Sequence, residues 1–208
     1  MASLKSKQSQ ISEIVRCGKD PVYFMNKYLK IQHPLKGLIP FKTYEFQDDC
    51  VKEFNDYRFN IILKSRQLGL STLVAAYAVW QSVFYKDKNV LIIATKLAVA
   101  QNFIRKVKTY IKSMPNWLLV PVVTANNKQQ VEFSNGSQIK AVPTSEDAGR
   151  SEALSLLIVD EAAFVRNFDE LWMGLYPTLS TGGRAILLST PNGVGGQYHE
   201  IYTKSLRK

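Results

Sequence analysis

Two rhythms of apolar and polar positions alternate along the chain. Phe59 to Leu63, Asn89 to Thr95, Leu156 to Asp160 and Ala185 to Ser189 are short runs in which apolar residues stand next to one another. Contiguous runs of this length predict strands buried on both faces, the habit of a parallel sheet covered by helices. Between them the spacing changes, predicting helices near Glu45 to Tyr57, from Leu73 to Phe84, and from about Leu97 to Lys112. Asp20 followed by Pro21 makes an N-cap and first-turn pair for a helix through Tyr23, Phe24, Tyr28 and Leu29. Val131 to Phe133 and Gln138 to Val142 flank Asn135-Gly136, a hairpin signal. His33-Pro34 to Pro40 reads as a connector, and repeats and low-complexity linkers are absent from the sequence.

The length of 208 residues suits one α/β domain with a sizeable core. Residues 1–58 read as an N-terminal helical segment of that domain and 59–208 as its core. With 27 Lys+Arg against 17 Asp+Glu, the net charge of +10 adds an anionic partner larger than a nucleotide to the expectation, nucleic acid first. Cys17 and Cys50 form neither a zinc pattern nor a disulfide framework and are expected in the core. The N-terminus lacks a signal-peptide apolar run, and no stretch of about 18 apolar residues occurs, so a soluble, intracellular protein without a membrane partner is expected. His33 and His199 have no partners at catalytic or metal-binding spacing, and Trp80, Trp117 and Trp172 read as core or interface residues.

Candidate chemistry begins at Lys64-Ser65-Arg66-Gln67-Leu68-Gly69-Leu70-Ser71-Thr72, between an apolar strand and a helix. In that context, backbone N–H groups and a helix N-terminus can hold phosphates. Gly69 lets the backbone approach, Ser71 occupies the place of a Mg²⁺-binding hydroxyl, and Thr72 falls near the α-phosphate. Leu70 departs from the usual pattern, which places a lysine there. A strand-to-helix turn needing no ligand, with Ser71 as its N-cap, fits the loop alone. The second segment changes that balance. The run Leu156 to Val159 delivers Asp160 and Glu161, the first for Mg²⁺ and the second for polarising an attacking water. Together the segments predict a Mg²⁺-dependent NTPase, and the resemblance drawn next implies ATP as its nucleotide.

Ser65-Arg66-Gln67-Leu68-Gly69, Asp160-Glu161, and Leu188-Ser189-Thr190-Pro191-Asn192-Gly193, in that order, resemble the ATPase domain of the large terminase subunit of tailed bacteriophages. Asp20 to Phe24, His33 to Pro40 and Tyr44 to Gln47 are similar to that family's N-terminal region, so the resemblance runs from about Asp20 to Tyr202. It implies a P-loop NTPase fold of the additional-strand, RecA-like type, a mostly parallel central sheet with helices on both faces. It also implies a motor that pumps double-stranded DNA into a procapsid, in the host cytoplasm. Its partners would be the portal protein, a small terminase subunit and further copies of itself in a pentameric ring. A nuclease domain usually follows in such proteins, and these residues hold no counterpart.

The resemblance further assigns residues. Phe46 and Gln47 match an adenine-binding motif, Ser189 and Thr190 a coupling motif, and Arg150 an arginine that reaches a neighbouring subunit's nucleotide. Lys64 stands where some large terminases place the phosphate lysine, with Arg66 as second choice. Arg105, Lys106, Lys108 and Lys112 could track a DNA backbone without reading sequence. A helicase-like ATPase, or a degenerate nucleotide-binding module that does not hydrolyse, are the alternatives.

Overall fold

The computed structural model describes residues 2–145 and 152–206. A sheet of seven strands runs in the order β3 (Phe59–Leu63), β9 (Arg184–Ser189), β8 (Leu156–Asp160), β4 (Asn89–Ala94), β7 (Gln138–Pro143), β6 (Gln130–Phe133), β5 (Val123–Asn126). The first five are mutually parallel; β6 is antiparallel to both of its neighbours. The apolar runs explain this layout, since every residue of β8 is buried and only the first residue of β4 and of β9 is not. Such strands are stable only with both faces covered.

One face carries α1 (Ala2–Lys19), α2 (Pro21–Tyr28), α3 (Glu45–Asp56), α4 (Leu70–Phe84) and α5 (Leu97–Ser113), packed on Val90, Ile92, Ile158, Ile186 and Leu188. The other carries α6 (Phe168–Leu175) and α7 (Gly196–Ser205), packed on Leu91, Ile93, Leu157, Val159 and Leu187. Helix α4 is buried from Leu73 to Val83, as a helix apolar on all sides must be. The N-terminal helices share this core through Cys17, Phe24, Met25, Val51 and Phe54, so the N-terminal segment belongs to the same unit. The expected cap of α2 is present: the Tyr23 N–H donates to Asp20 Oδ1 at 2.8 Å.

The structure corrects the sequence reading in two places. The expected connector from His33 to Pro40 is a hairpin, β1 (Lys30–His33) paired antiparallel with β2 (Gly37–Pro40), with Ile31 opposite Ile39. Gly37 turns the chain at φ 68, and the His33 ring nitrogen accepts the Leu35 and Lys36 N–H groups. Helix α4 starts at Leu70, three residues before the expected start, because Gly69 rather than a polar side chain begins it. Of the tryptophans, Trp80 is buried, and Trp117 and Trp172 pack against the two cores.

The amino end of β3 is locked to that of β9 through arginines. Arg58 donates to the carbonyls of Gly183 and Leu179, and Arg184 donates to those of Phe54 and Tyr57. Gly183 is needed here for space, since a Cβ would stand 2.2 Å from Leu154 O and 3.1 Å from Leu179 Cα, both backbone atoms. Gly183→Ala is therefore expected to cost about 1–3 kcal/mol, the usual penalty of overpacking. Urea unfolding checks this, and an unchanged midpoint would show that the Arg58 crossing yields easily.

Candidate functional site

Lys64 extends the pairing of β3, its N–H donating to Ser189 O at 2.9 Å, and the chain then leaves the sheet as the loop Ser65–Gly69. Two residues hold left-handed backbone, Gln67 at φ 63 and Gly69 at φ 71. Gly69 begins α4 without any side-chain cap, so the first turn of a 15-residue helix faces the loop with its positive end open. Leu70, at the position where the usual pattern places a lysine, is buried in the main core. Its neighbour Ser71 points the other way, toward Asp160.

Gln47 supports this loop from beneath. It is buried, donating from Nε2 to Leu68 O at 2.8 Å and accepting the Tyr44 N–H on Oε1 at 3.2 Å. Both ends of the amide are engaged with backbone, so Gln47 positions the loop, with one N–H and one lone pair of the amide left over from these two bonds. Phe46 is 40% exposed and stacks parallel to Tyr44 with centroids 5.8 Å apart, an open aromatic surface at the start of α3.

The two carboxylates at the end of β8 occupy different environments. Asp160 is buried, accepts from Ser71 Oγ on Oδ2 at 3.0 Å, and leaves Oδ1 buried without a partner. Burial raises its pKa above the ordinary carboxylate value, against the pull of the Lys64 charge and the Ser71 hydroxyl. Glu161 is forced into left-handed backbone, φ 54, where a non-glycine residue is strained. Its Oε1 meets Lys64 Nζ at 2.7 Å, and its Oε2 accepts from the N–H and Oγ1 of Thr190, each at 2.9 Å, with Ser189 Oγ at 3.4 Å. Partial burial pushes the Glu161 pKa up, but the Lys64 and Thr190 bonds outweigh it and the net shift is downward. Adjacent acids pushed in opposite directions are the signature of divided labour at a site.

An orphaned buried oxygen beside a hydroxyl suits a hard cation with few protein ligands. Among the described residues no group of three His, Cys, Asp or Glu side chains could enclose a metal. Mg²⁺ fits this donor set, since it characteristically takes one or two carboxylates and fills its sphere with water and phosphate oxygens.

Arg66 is exposed and lines an opening over the carboxyl ends of the strands together with Thr95, Lys96, Thr144, Arg166, Glu161 and Thr190. Ser65 and Leu68 are exposed on the loop, and Thr72 is half-buried in the first turn of α4. Arg150 lies outside the described residues. The sequence reading missed Lys96, Thr144 and Arg166. Their only signal is position, just past the carboxyl ends of parallel strands, where α/β sheets bind ligands.

Residues 61–208 match the family described as terminase large subunit, T4-like-virus type, N-terminal. Three solved structures are similar. The HK97 bacteriophage large terminase superposes with a TM-score of 0.73 at 16% identity, covering 91% of this chain and 42% of that one. The Thermus phage P74-26 large terminase ATPase domain gives 0.60 at 21%, covering 74% and 67%. The large terminase of another thermophilic bacteriophage, solved with ATP-γ-S, gives 0.60 at 13%, covering 79% and 42%. This chain thus spans about two fifths of the first and third of these proteins. At such identities the likeness establishes the RecA-like P-loop fold, with β9 as the additional strand between the loop strand β3 and the acid-bearing β8.

Because the Asp160 pKa is raised on folding, its contribution to stability is fully present below its unfolded pKa and is lost as pH rises through the folded one. Asp160→Asn should therefore make the nucleotide-free protein more stable than wild type at pH 7, with the gain vanishing near pH 4; urea unfolding at both pH values measures it. For Glu161 the depression depends on Lys64, so Lys64→Met should leave burial unopposed by that cation and move the Glu161 carboxyl titration upward. Carbon-detected NMR reads that shift, and an unmoved titration would mean that Thr190 alone holds the carboxylate down.

Proposed function

We propose that this chain, which belongs to the N-terminal family of T4-like-virus-type terminase large subunits, hydrolyses ATP and couples turnover to translocation of double-stranded DNA into a procapsid. The observation that carries the reading is the convergence on one point of Ser71 with the orphaned Asp160 oxygen and of Lys64 with Glu161. ATP is the nucleotide because P74-26's domain is described as an ATPase and the other thermophilic-phage terminase was solved with ADP and with ATP-γ-S.

The loop Ser65–Gly69 and the open end of α4 receive the phosphates. Ser71 and Asp160 would hold Mg²⁺, which when bound would supply positive charge against the phosphate oxygens. Lys64 does two jobs in sequence. At rest it neutralises Glu161 at 2.7 Å; when phosphates arrive they compete for its ammonium, and Glu161 is left with Thr190 alone. Burial then pushes the Glu161 pKa up, and the carboxylate becomes a stronger base for the attacking water. Arg66, Lys96 and Arg166 border the same opening and can meet charge that spreads over the transferring group.

Thr190 follows β9 directly, and Ser189 Oγ also accepts the Ala163 N–H at 3.1 Å. A change in the position of Glu161 is therefore felt at the ends of β8 and β9 together, which gives the coupling role of Ser189 and Thr190 a physical route. The portal protein, a small terminase subunit and a ring of copies that supplies Arg150 in trans complete the proposed assembly.

Glu161→Gln should reduce ATP turnover by about 10²-fold or more, the scale of general-base action, while fluorescent-nucleotide binding stays intact. Near wild-type turnover would remove Glu161 from the role of base. Lys64→Ala should abolish turnover too, and retained activity there would transfer the phosphate role to Arg66.

A further inference from the structure

A second cationic hollow lies on the α5 side of the loop helix, apart from the opening over Glu161; the two share no lining residue. It is lined by Lys30 and Gln32 of β1, Thr72 of α4, and Arg105, Lys106 and Tyr110 of α5. Among the described residues, the ion pairs are Lys27–Glu13, Lys52–Asp49, Lys64–Glu161, Lys140–Glu152 and Lys204–Glu200. None involves Lys30, Arg105 or Lys106, so three cations face one space without a carboxylate between them.

Accepting the DNA-handling function proposed above, we propose that Lys30, Arg105 and Lys106 receive a backbone phosphate of double-stranded DNA beside the ATP loop. Helix α5 turns Phe103, Ile104, Val107 and Tyr110 into the core. Arg105, Lys108 and Lys112 are left on its outer side, Arg105 and Lys112 exposed. Arg105 to Lys112 spans about 10 Å of helix at 1.5 Å per residue. That length meets more than one charge of a strand whose phosphates recur every ~3.4 Å along the duplex axis. The ATP phosphates belong to the open end of α4 instead, and Glu161 does not line this hollow.

The hollow is also wired to the loop. Tyr110, buried in α5, donates from its hydroxyl to Thr72 O at 3.0 Å, in the first turn of α4. Lys106 packs over the Phe103 ring at 5.2 Å, which holds its ammonium against α5 at the edge of the hollow. The hollow therefore adjoins the first turn of α4 through Thr72.

The test is a triple variant, Lys30→Gln/Arg105→Gln/Lys106→Gln, of the 208-residue chain. Binding to a mixed-sequence duplex of about 30 base pairs, enough to span several phosphate contacts, is measured by anisotropy across a salt series, beside binding of a fluorescent ATP analogue. We expect duplex affinity to fall at least tenfold and the slope of log K against log salt to lose about one to three units, with nucleotide affinity within about twofold of wild type. A charge-matched control, Lys19→Gln/Lys86→Gln/Lys128→Gln, should change duplex binding far less. An equal loss in that control would reduce the effect to net charge and overturn the site. Weakened nucleotide binding with intact duplex binding would reassign the hollow to ATP, and failure of the unaltered chain to bind duplex at low salt would also overturn it. If the triple variant does not fold, Arg105→Glu at an exposed position should produce the same selective loss of duplex binding. ATP turnover by the unaltered chain is read separately, so failure of the ATPase assignment is distinguishable from failure of this site.

Discussion

Strand β8 has no solvent-facing side, yet it must end in two charges. Its five residues are buried, and the sheet continues on both flanks through β9 and β4. Taking a carboxylate out of water is costly unless neighbours satisfy it. The neighbours that do so come from the ends of two other strands: Lys64 at the tip of β3 with Ser71 beyond its loop, and Thr190 after β9. The site is therefore a consequence of the topology. Because β9 lies between β3 and β8, the loop and the acids are held one strand apart, with the β9 terminus between them.

The compensation is incomplete. Asp160 Oδ1 is left without a partner, and Glu161 is strained at φ 54. Each feature costs stability in the empty protein, and each is the kind of deficit that function exploits. Beneath them the scaffold is rigid: α4 is buried all round, Leu70 anchors its first turn in the core, and Gln47 fixes Leu68 through its amide. Leu70 faces the core at the position that a lysine usually holds, so a phosphate cation in the proposed cycle has to come from elsewhere.

Much of this was legible in the sequence, and the parts that were not share a physical reason. β3, β4, β8 and β9 are contiguous apolar runs, and Asn135-Gly136 does join β6 to β7, with Gly136 at φ 80. β1, β2 and β5 are four-residue strands half exposed to solvent, too short for either rhythm to register. Lys64, Asp160 and Glu161 could be named singly because each sits at a strand end, and Ser71 because it opens the helix after the loop. That Glu161 would be shared between Lys64 and Thr190 could not be read, because such a contact depends on the order of strands in space. Gln47 shows what a motif leaves out: its amide bonds to Tyr44 and to the loop backbone are contacts that spacing along the chain does not reveal.

The Lys64–Glu161 pair contributes to function more than to stability. The pair is largely buried, with the Lys64 side chain 8% and that of Glu161 31% exposed, and such a pair recovers in attraction roughly what it loses in desolvation, so its net effect on folding is small. In the proposed cycle its effect on ligand binding is larger. Phosphates that take Lys64 must first separate it from Glu161, and apparent nucleotide affinity is lowered by whatever that separation costs. The same free energy reappears as a raised proton affinity of Glu161, because burial then acts without the Lys64 counter-charge. Loss of the phosphate reverses the exchange and returns Lys64 to Glu161. In the proposed cycle, basicity at the water and occupancy of the loop are linked through one ammonium group, and the Thr190 bonds to the carboxylate give each change a path to the end of β9.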